Sequence, residues 1–327
     1  MRIFVTGASG WIGSAVVPEL ISAGHEVVGL ARSDASAAAL AAAGVKVERG
    51  TLDDLDTLRS TAGKSDGVIH LAFKHDLAFT GDFEGAATAD RQAVEAFGEA
   101  LAGSDRPFVI ASGLLGLLPG QVATELDGHI GDATSRDIPP GPQARWATAE
   151  FTLSLASRGV RSSIMRLSPT CHGDGDNGFM ATLVAIARDK GVSGYIADGS
   201  NRWPAVHRLD AAHLFRLALE NAPAGSTLHA AADEGVATRE IAEVIGRHLD
   251  VPVVSIAPED AAHFGHLAHF FGIDSPASSA LTRDLLGWQP TRPGLIDDLD
   301  QGHYFRTPSA RPQRDRKPLT SAPPRRH

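Results

Sequence analysis

Thr6-Gly7-Ala8-Ser9-Gly10-Trp11-Ile12-Gly13 follows directly on the apolar run Ile3–Val5 and leads into a helical pattern at 12–23. A strand, a glycine-rich turn and a helix in that order form a cradle for a pyrophosphate. Gly7 permits the tight turn, Gly10 lets the main chain approach phosphate, and Gly13 allows the helix to pack closely on the sheet. The helix start adds unpaired N–H groups and a positive dipole end. A bare glycine triplet occurs by chance; at the head of a βαβ series it reads as a dinucleotide site.

That series continues outward from the turn. Glu26–Leu30, Val45–Glu48, Gly67–Leu71, Phe108–Ala111 and Ser163–Arg166 are short apolar runs, as expected of strands covered on both faces. Helical patterns at 34–43, 82–102 and 143–158 separate them. The alternation predicts a Rossmann-type α/β fold with a doubly wound parallel sheet, because parallel strands need crossover connections. After about Gly173 the pattern becomes mixed: a helix at 178–190, a strand at Ala205–His207, a helix from Asp210 to Asn221, and another at Thr238–Leu249 with Thr238 as its N-cap. The expected division is a dinucleotide-binding domain over 1–175, completed by about 205–222. A smaller substrate domain would comprise 176–204 and 223–305, followed by a disordered basic tail over 306–327.

The chain of 327 residues is 43% hydrophobic and 21% charged, ordinary for a protein with a sizeable core and unlike a disordered or collagen-like chain. No apolar run reaches the ~18 residues of a membrane span, and no leader pattern opens the sequence. Cys171 is the sole cysteine, so an internal disulfide and a multi-cysteine zinc site are excluded; a reducing cytoplasm is the expected compartment. Net charge is −9. The tail from Arg306 is basic and rich in proline, which leaves an acidic body unsuited to nucleic acid. Nucleic acid and membrane are therefore not expected partners; a small-molecule substrate is.

The end of the second strand bears on cofactor choice. An Asp or Glu there accepts from the ribose 2′-OH of NAD. The sequence has Leu30-Ala31-Arg32-Ser33 instead, a guanidinium and a hydroxyl suited to a 2′-phosphate. NADP(H) is the expected cofactor, with NAD(H) as the alternative. A competing reading pairs Arg32 with Asp34.

The chain resembles the extended short-chain dehydrogenase/reductase superfamily, including the NAD-dependent epimerase/dehydratases. The likeness rests on the glycine turn, on Asp66-Gly67-Val68-Ile69-His70-Leu71-Ala72, and on Val109-Ile110-Ala111-Ser112-Gly113. It extends to Arg166-Leu167-Ser168-Pro169-Thr170-Cys171-His172-Gly173, to Val206-His207-Arg208-Leu209-Asp210 and to Leu286-Gly287-Trp288-Gln289-Pro290. It implies that Thr6, Gly7, Gly10, Trp11, Ile12, Gly13, Leu71, Ala72, Ser112, Pro169 and Thr170 border the cofactor. Asp53 would contact adenine, its alternative role being a helix N-cap. The superfamily's Y-x-x-x-K pair is absent: anchoring on Glu150 puts Trp146 at the lysine and Pro142 at the tyrosine position. The chain is thus expected to be an atypical member with its cofactor site intact.

A positioned general acid contributes about 10²–10⁴-fold to rate, so the loss of the tyrosine weakens an enzyme reading without removing it. Ser112 and His75 are the candidate replacement donors, against readings of a structural hydroxyl and an exposed loop histidine, and Arg145 is the candidate for orienting an anionic or carbonyl substrate. His172 and His207 fall in matched segments and have structural hydrogen bonding as their alternative. His263, His266 and His269 form H-x-x-H-x-x-H among aromatic residues; a cleft wall or lid is expected rather than a metal site. The leading function is an NADP(H)-dependent oxidoreductase on a small carbonyl or alcohol. A non-catalytic NADP(H)-binding redox sensor and, third, a nucleotide-sugar epimerase or dehydratase stand beside it. The helices at 82–102 and 143–158 carry the possibility of a homodimer.

Overall fold

A computed structural model describes residues 1–129, 141 and 143–306. In chain order the elements are β1 (Arg2–Thr6), α1 (Gly13–Ser22), β2 (Glu26–Ala31), α2 (Asp34–Ala42), β3 (Lys46–Arg49), α3 (Leu55–Gly63), β4 (Gly67–His70), α4 (His75–Phe79), α5 (Phe83–Leu101), β5 (Pro107–Gly113) and α6 (Gln143–Ser154). They continue as β6 (Arg161–Leu167), β7 (Thr170–His172), α7 (Phe179–Lys190), β8 (Ser193–Ile196), β9 (Arg202–His207), α8 (Arg208–Asn221) and β10 (Ser226–Ala230). The last are β11 (Asp233–Ala237), α9 (Thr238–Leu249), β12 (Val253–Ile256), α10 (Ala280–Leu286) and α11 (Leu295–Asp300).

Seven strands form one parallel sheet in the order β10-β6-β5-β4-β1-β2-β3. The continuous apolar run in β1 is explained by its two covered faces. Ile3 and Val5 join a core with Val16 and Leu20 of α1 and Phe215 of α8, whereas Phe4 points to the opposite core with Phe97 of α5. The strand order reverses direction between β1 and β4. Beyond the carboxyl ends of those strands lies the crevice in which such sheets bind ligands.

β7, β9 and β11 form a small mixed sheet, and β8 pairs with β12 in a second. Their core contains Trp203, Ile241, Ile245, Phe264, Leu267 and Phe271. The chain then returns to the large sheet. β10 pairs with β6, and Trp288 enters the α1–α8 core.

Two local expectations are corrected. Thr238 is the first residue of α9 rather than its N-cap; its hydroxyl donates to Asn201 Oδ1 at 2.7 Å, and Ala237 stands at the cap. The His263–His269 segment is not a regular helix: most of it lies in a 3₁₀ run over Pro258–Leu267 broken at Gly265 (φ 57°), and Phe264, Leu267 and Phe271 are core. No group of His, Cys, Asp and Glu among the described residues is arranged to hold a metal. Nor is any described helix long and apolar enough to cross a membrane.

Candidate cofactor and active site

The turn after β1 is shaped by contacts that exclude side chains. A Cβ on Gly7, whose φ is +67°, would lie 2.8 Å from the Ala72 nitrogen, and one on Gly13 would lie 2.1 Å from the Gly7 carbonyl oxygen. The Gly10 N–H closes the turn onto the Gly7 carbonyl at 2.9 Å, while the N–H groups of Trp11 and Ile12 donate to no other described residue. Such a bare cradle at a helix start fits a pyrophosphate. Trp11 fixes it from outside: the indole N–H donates to the Cys171 carbonyl at 2.8 Å, and the Arg208 guanidinium lies 4.2 Å over the ring.

At the end of the crevice beside β2, Arg32 stands exposed at the tip of that strand. It pairs with Asp76 at 3.1 Å rather than with Asp34, which is taken by Arg49. Ser33 caps α2: its hydroxyl accepts from the Ser36 N–H at 3.2 Å, and Arg49 holds its carbonyl at 2.7 Å. Asp53 is bound by Lys74 Nζ at 2.6 and 2.7 Å. It is not the N-cap of α3, a position occupied by Asp54.

The other end gathers the three candidate catalytic residues. Ser112, near the end of β5, has its Oγ buried with no hydrogen-bond partner among the described residues. Arg145, on the first turn of α6, donates to the carbonyl of Ala111 at 3.0 Å and lies 4.2 Å over the Phe73 ring. His75 opens α4 instead of lying in a loop, edge-on to Phe73 at 5.1 Å. Desolvation and the nearby charge of Arg145 hold its imidazole below the usual histidine value. Behind them runs a buried chain. The Thr6 hydroxyl donates to His70 Nδ1 at 2.6 Å, and His70 Nε2–H donates to Asp90 Oδ1 at 3.1 Å. The other Asp90 oxygen lies 4.0 Å from Arg145 Nε. Thr6 also accepts from the Ala72 N–H at 3.3 Å, and the Leu71 N–H donates to the Thr6 carbonyl, so both residues lie against the glycine turn.

Pro169 and Thr170 enter β7 alongside β9, where the Thr170 hydroxyl is committed to the Pro204 carbonyl. His172 and His207 are opposite one another in register, their rings 5.4 Å apart. His172 Nδ1 bonds Asp298 at 2.8 Å, and His207 Nδ1 accepts from the Leu209 N–H at 3.2 Å to cap α8. Both make structural hydrogen bonds, although Nε2 of His172 is buried and has no partner among the described residues.

The tyrosine position, Pro142, lies outside the described residues. Trp146, at the lysine position, packs onto the cluster of Leu114, Leu117 and Ala123. Neither tyrosine comes to β5 or α6: Tyr195 lies beneath Arg239, and the Tyr304 hydroxyl donates to Asp176 at 2.9 Å. Sequence reasoning missed Asp90, Phe73, Lys74, Asp76 and Arg208. Asp90 carried a faint signal as an acid on the otherwise apolar face of the α5 pattern.

A family model described as the NAD dependent epimerase/dehydratase family matches residues 3–87. The chain is 49% identical over 306 residues to an uncharacterized protein of Schizosaccharomyces pombe, covering 93% of this chain and 100% of that one. It is 47% identical over 302 residues to an uncharacterized protein of Saccharomyces cerevisiae, covering 91% and 98%. Among solved structures, dTDP-glucose 4,6-dehydratase from Streptomyces venezuelae with NAD and TYD bound superposes with a TM-score of 0.71. That match covers 93% of this chain and 97% of that one at 20% identity, a likeness of fold.

Proposed function

Given that this chain belongs to the NAD-dependent epimerase/dehydratase family, we propose that it is an NADP(H)-dependent oxidoreductase acting on a carbonyl or alcohol of a small molecule. The observation that carries the reading is Ser112. A hydroxyl buried at the end of β5 without a partner among the described residues has a hydrogen bond to give, and it follows directly on the carbonyl that Arg145 holds. Leaving such a group unsatisfied disfavours the folded protein by about 1–3 kcal/mol, which a bound carbonyl would relieve.

In this proposal the pyrophosphate lies on the N–H groups of Trp11 and Ile12. Arg32 takes the 2′-phosphate, Asp53 faces adenine, and Pro169–Cys171 border the nicotinamide. Bound dinucleotide supplies the hydride. Ser112 orients the substrate oxygen and His75 exchanges its proton. Arg145 stabilises negative charge developing there, with Asp90 and His70 holding it in place. Substrate lies toward the smaller sheets, the protein works in the cytoplasm, and α5 and α6 offer a face for a second copy.

The test is a titration of NADPH and NADP⁺ by fluorescence, followed by a carbonyl screen at the reduced-nicotinamide absorbance. NADPH-dependent turnover that Ser112→Ala abolishes supports the reading; binding of neither dinucleotide sinks it. Trp146 favours a second reading, a non-catalytic NADP(H) sensor, because its indole is packed where a catalytic lysine would project. A sensor would bind NADP⁺ and NADPH with different affinities and turn over no carbonyl.

A further inference from the structure

The segment Phe73-Lys74-His75-Asp76 leaves β4 and reaches both ends of the crevice. Phe73 lies beneath Arg145 at one end. At the other, Lys74 holds Asp53 and Asp76 holds Arg32. One four-residue strap thus engages both residues assigned to the adenosine. The two arginines here differ in their commitments. Arg49 is fastened to the Ser33 carbonyl and to Asp34, but among the described residues Arg32 has only the Asp76 carboxylate, and both side chains of that pair are exposed, at 70% and 61%.

An exposed carboxylate pair is weak and screened. A phosphate offers more charge and more acceptor oxygens to the same guanidinium. Any 2′-phosphate arriving at Arg32 has to displace Asp76 and then tolerate its negative charge close by. A ribose hydroxyl meets neither obstacle. Resting on the assignment of Arg32 to the 2′-phosphate, we infer that Asp76 is a specificity-determining residue. It occupies Arg32 as an internal competitor and so narrows the preference for phosphorylated over unphosphorylated dinucleotide.

The experiment measures NADPH and NADH dissociation constants by fluorescence titration at fixed low salt. It uses the wild type, Asp76→Asn, Lys74→Gln, Arg32→Ala and the Arg32→Ala/Asp76→Asn double variant. Asp76→Asn should tighten NADPH about two- to fivefold, the span expected for losing an exposed competitor, with NADH unchanged. The double variant should match Arg32→Ala, since without the guanidinium there is nothing to compete for. Lys74→Gln should leave the NADPH/NADH ratio where it was. A rise in that ratio equal to the one from Asp76→Asn would mean a loosened strap rather than competition, and overturns the inference. So does an Asp76→Asn protein that keeps wild-type affinity for NADPH or gains equally for both dinucleotides. If Arg32→Ala weakens NADPH selectively while Asp76→Asn has no effect, the inference alone falls. If Arg32→Ala changes nothing, the assignment of Arg32 to the phosphate falls with it. Matching thermal midpoints across the variants establish that each is folded.

Discussion

The indole N–H of Trp11 donates to the main-chain carbonyl of Cys171 at 2.8 Å, tying the glycine turn after β1 to β7 across the crevice. The first segment is the candidate pyrophosphate cradle and the second borders the candidate nicotinamide position, so this bond fixes the one against the other. Trp11→Phe keeps a ring beneath Arg208 but removes the donor, at a cost of about 1 kcal/mol. Urea unfolding should register that loss, and NADPH and NADH should both bind more weakly by the same factor. Unchanged binding of either would show that the turn holds its position without the bond.

Gly13 and Gly63 separate lack of space from lack of conformational freedom. Gly13→Ala drives a Cβ to 2.1 Å from the Gly7 carbonyl, against main chain that cannot yield, and should abolish dinucleotide binding. Gly63 ends α3 with nothing near its absent Cβ. Gly63→Ala should therefore stabilise by about 0.4–1 kcal/mol through the unfolded chain and leave binding intact. Calorimetry on the two variants with and without NADPH checks both outcomes.

Ser112 gives a prediction in which stability and activity part company. Its hydroxyl has no hydrogen-bond partner among the described residues, so Ser112→Ala should leave the unfolding midpoint unchanged or slightly raised. Turnover should nevertheless fall by about 10²-fold or more. Arg145→Lys should also slow turnover, because an ammonium cannot both stack on Phe73 and reach the Ala111 carbonyl in the same geometry. A structural hydroxyl would show the reverse pattern at Ser112.

Much of this was legible in the sequence because it is periodic and local. The strands through β6 and the helices α1, α2, α5 and α6 follow from apolar runs and their spacing, and the glycine turn announced itself by its place between them. The capping of α9 was misread because Thr238 found a better acceptor in Asn201, a residue on the far side of β9. The partners of Arg32, Asp53 and Arg145 were illegible for the same reason. Asp76, Lys74 and Asp90 are distant in sequence, and nothing in local pattern says which of several acids a guanidinium meets. The aromatic and histidine segment at 263–271 misled because its spacing suggests a regular helix, which Gly265 interrupts.

His229 should make stability pH-dependent. Its Nδ1–H donates to the Ser278 carbonyl and its Nε2 faces Arg166 Nη1 at 3.3 Å. Burial foremost, with the Arg166 charge, depresses its pKa to about 4, against the pull of Glu125, Asp127 and the Ser278 carbonyl. The unfolded chain takes up this proton near pH ~6.5 and the native one only near 4, so the unfolded state binds more protons in between. The contribution is therefore complete above pH ~6.5 and is lost as pH falls toward 4, on the order of 3 kcal/mol. Urea titrations from pH 7 to 4 should show that slope, and His229→Asn should flatten it.

The return of the chain to β10 has a consequence for biosynthesis. While the ribosome is still making β7 to β9, β6 presents a bare row of amide and carbonyl groups awaiting a neighbour that begins only at Ser226. The slot for Trp288 on α8 waits longer still. The nascent amino-terminal half is thus an adhesive intermediate, and a stalled or prematurely terminated chain would aggregate rather than persist as a working fragment.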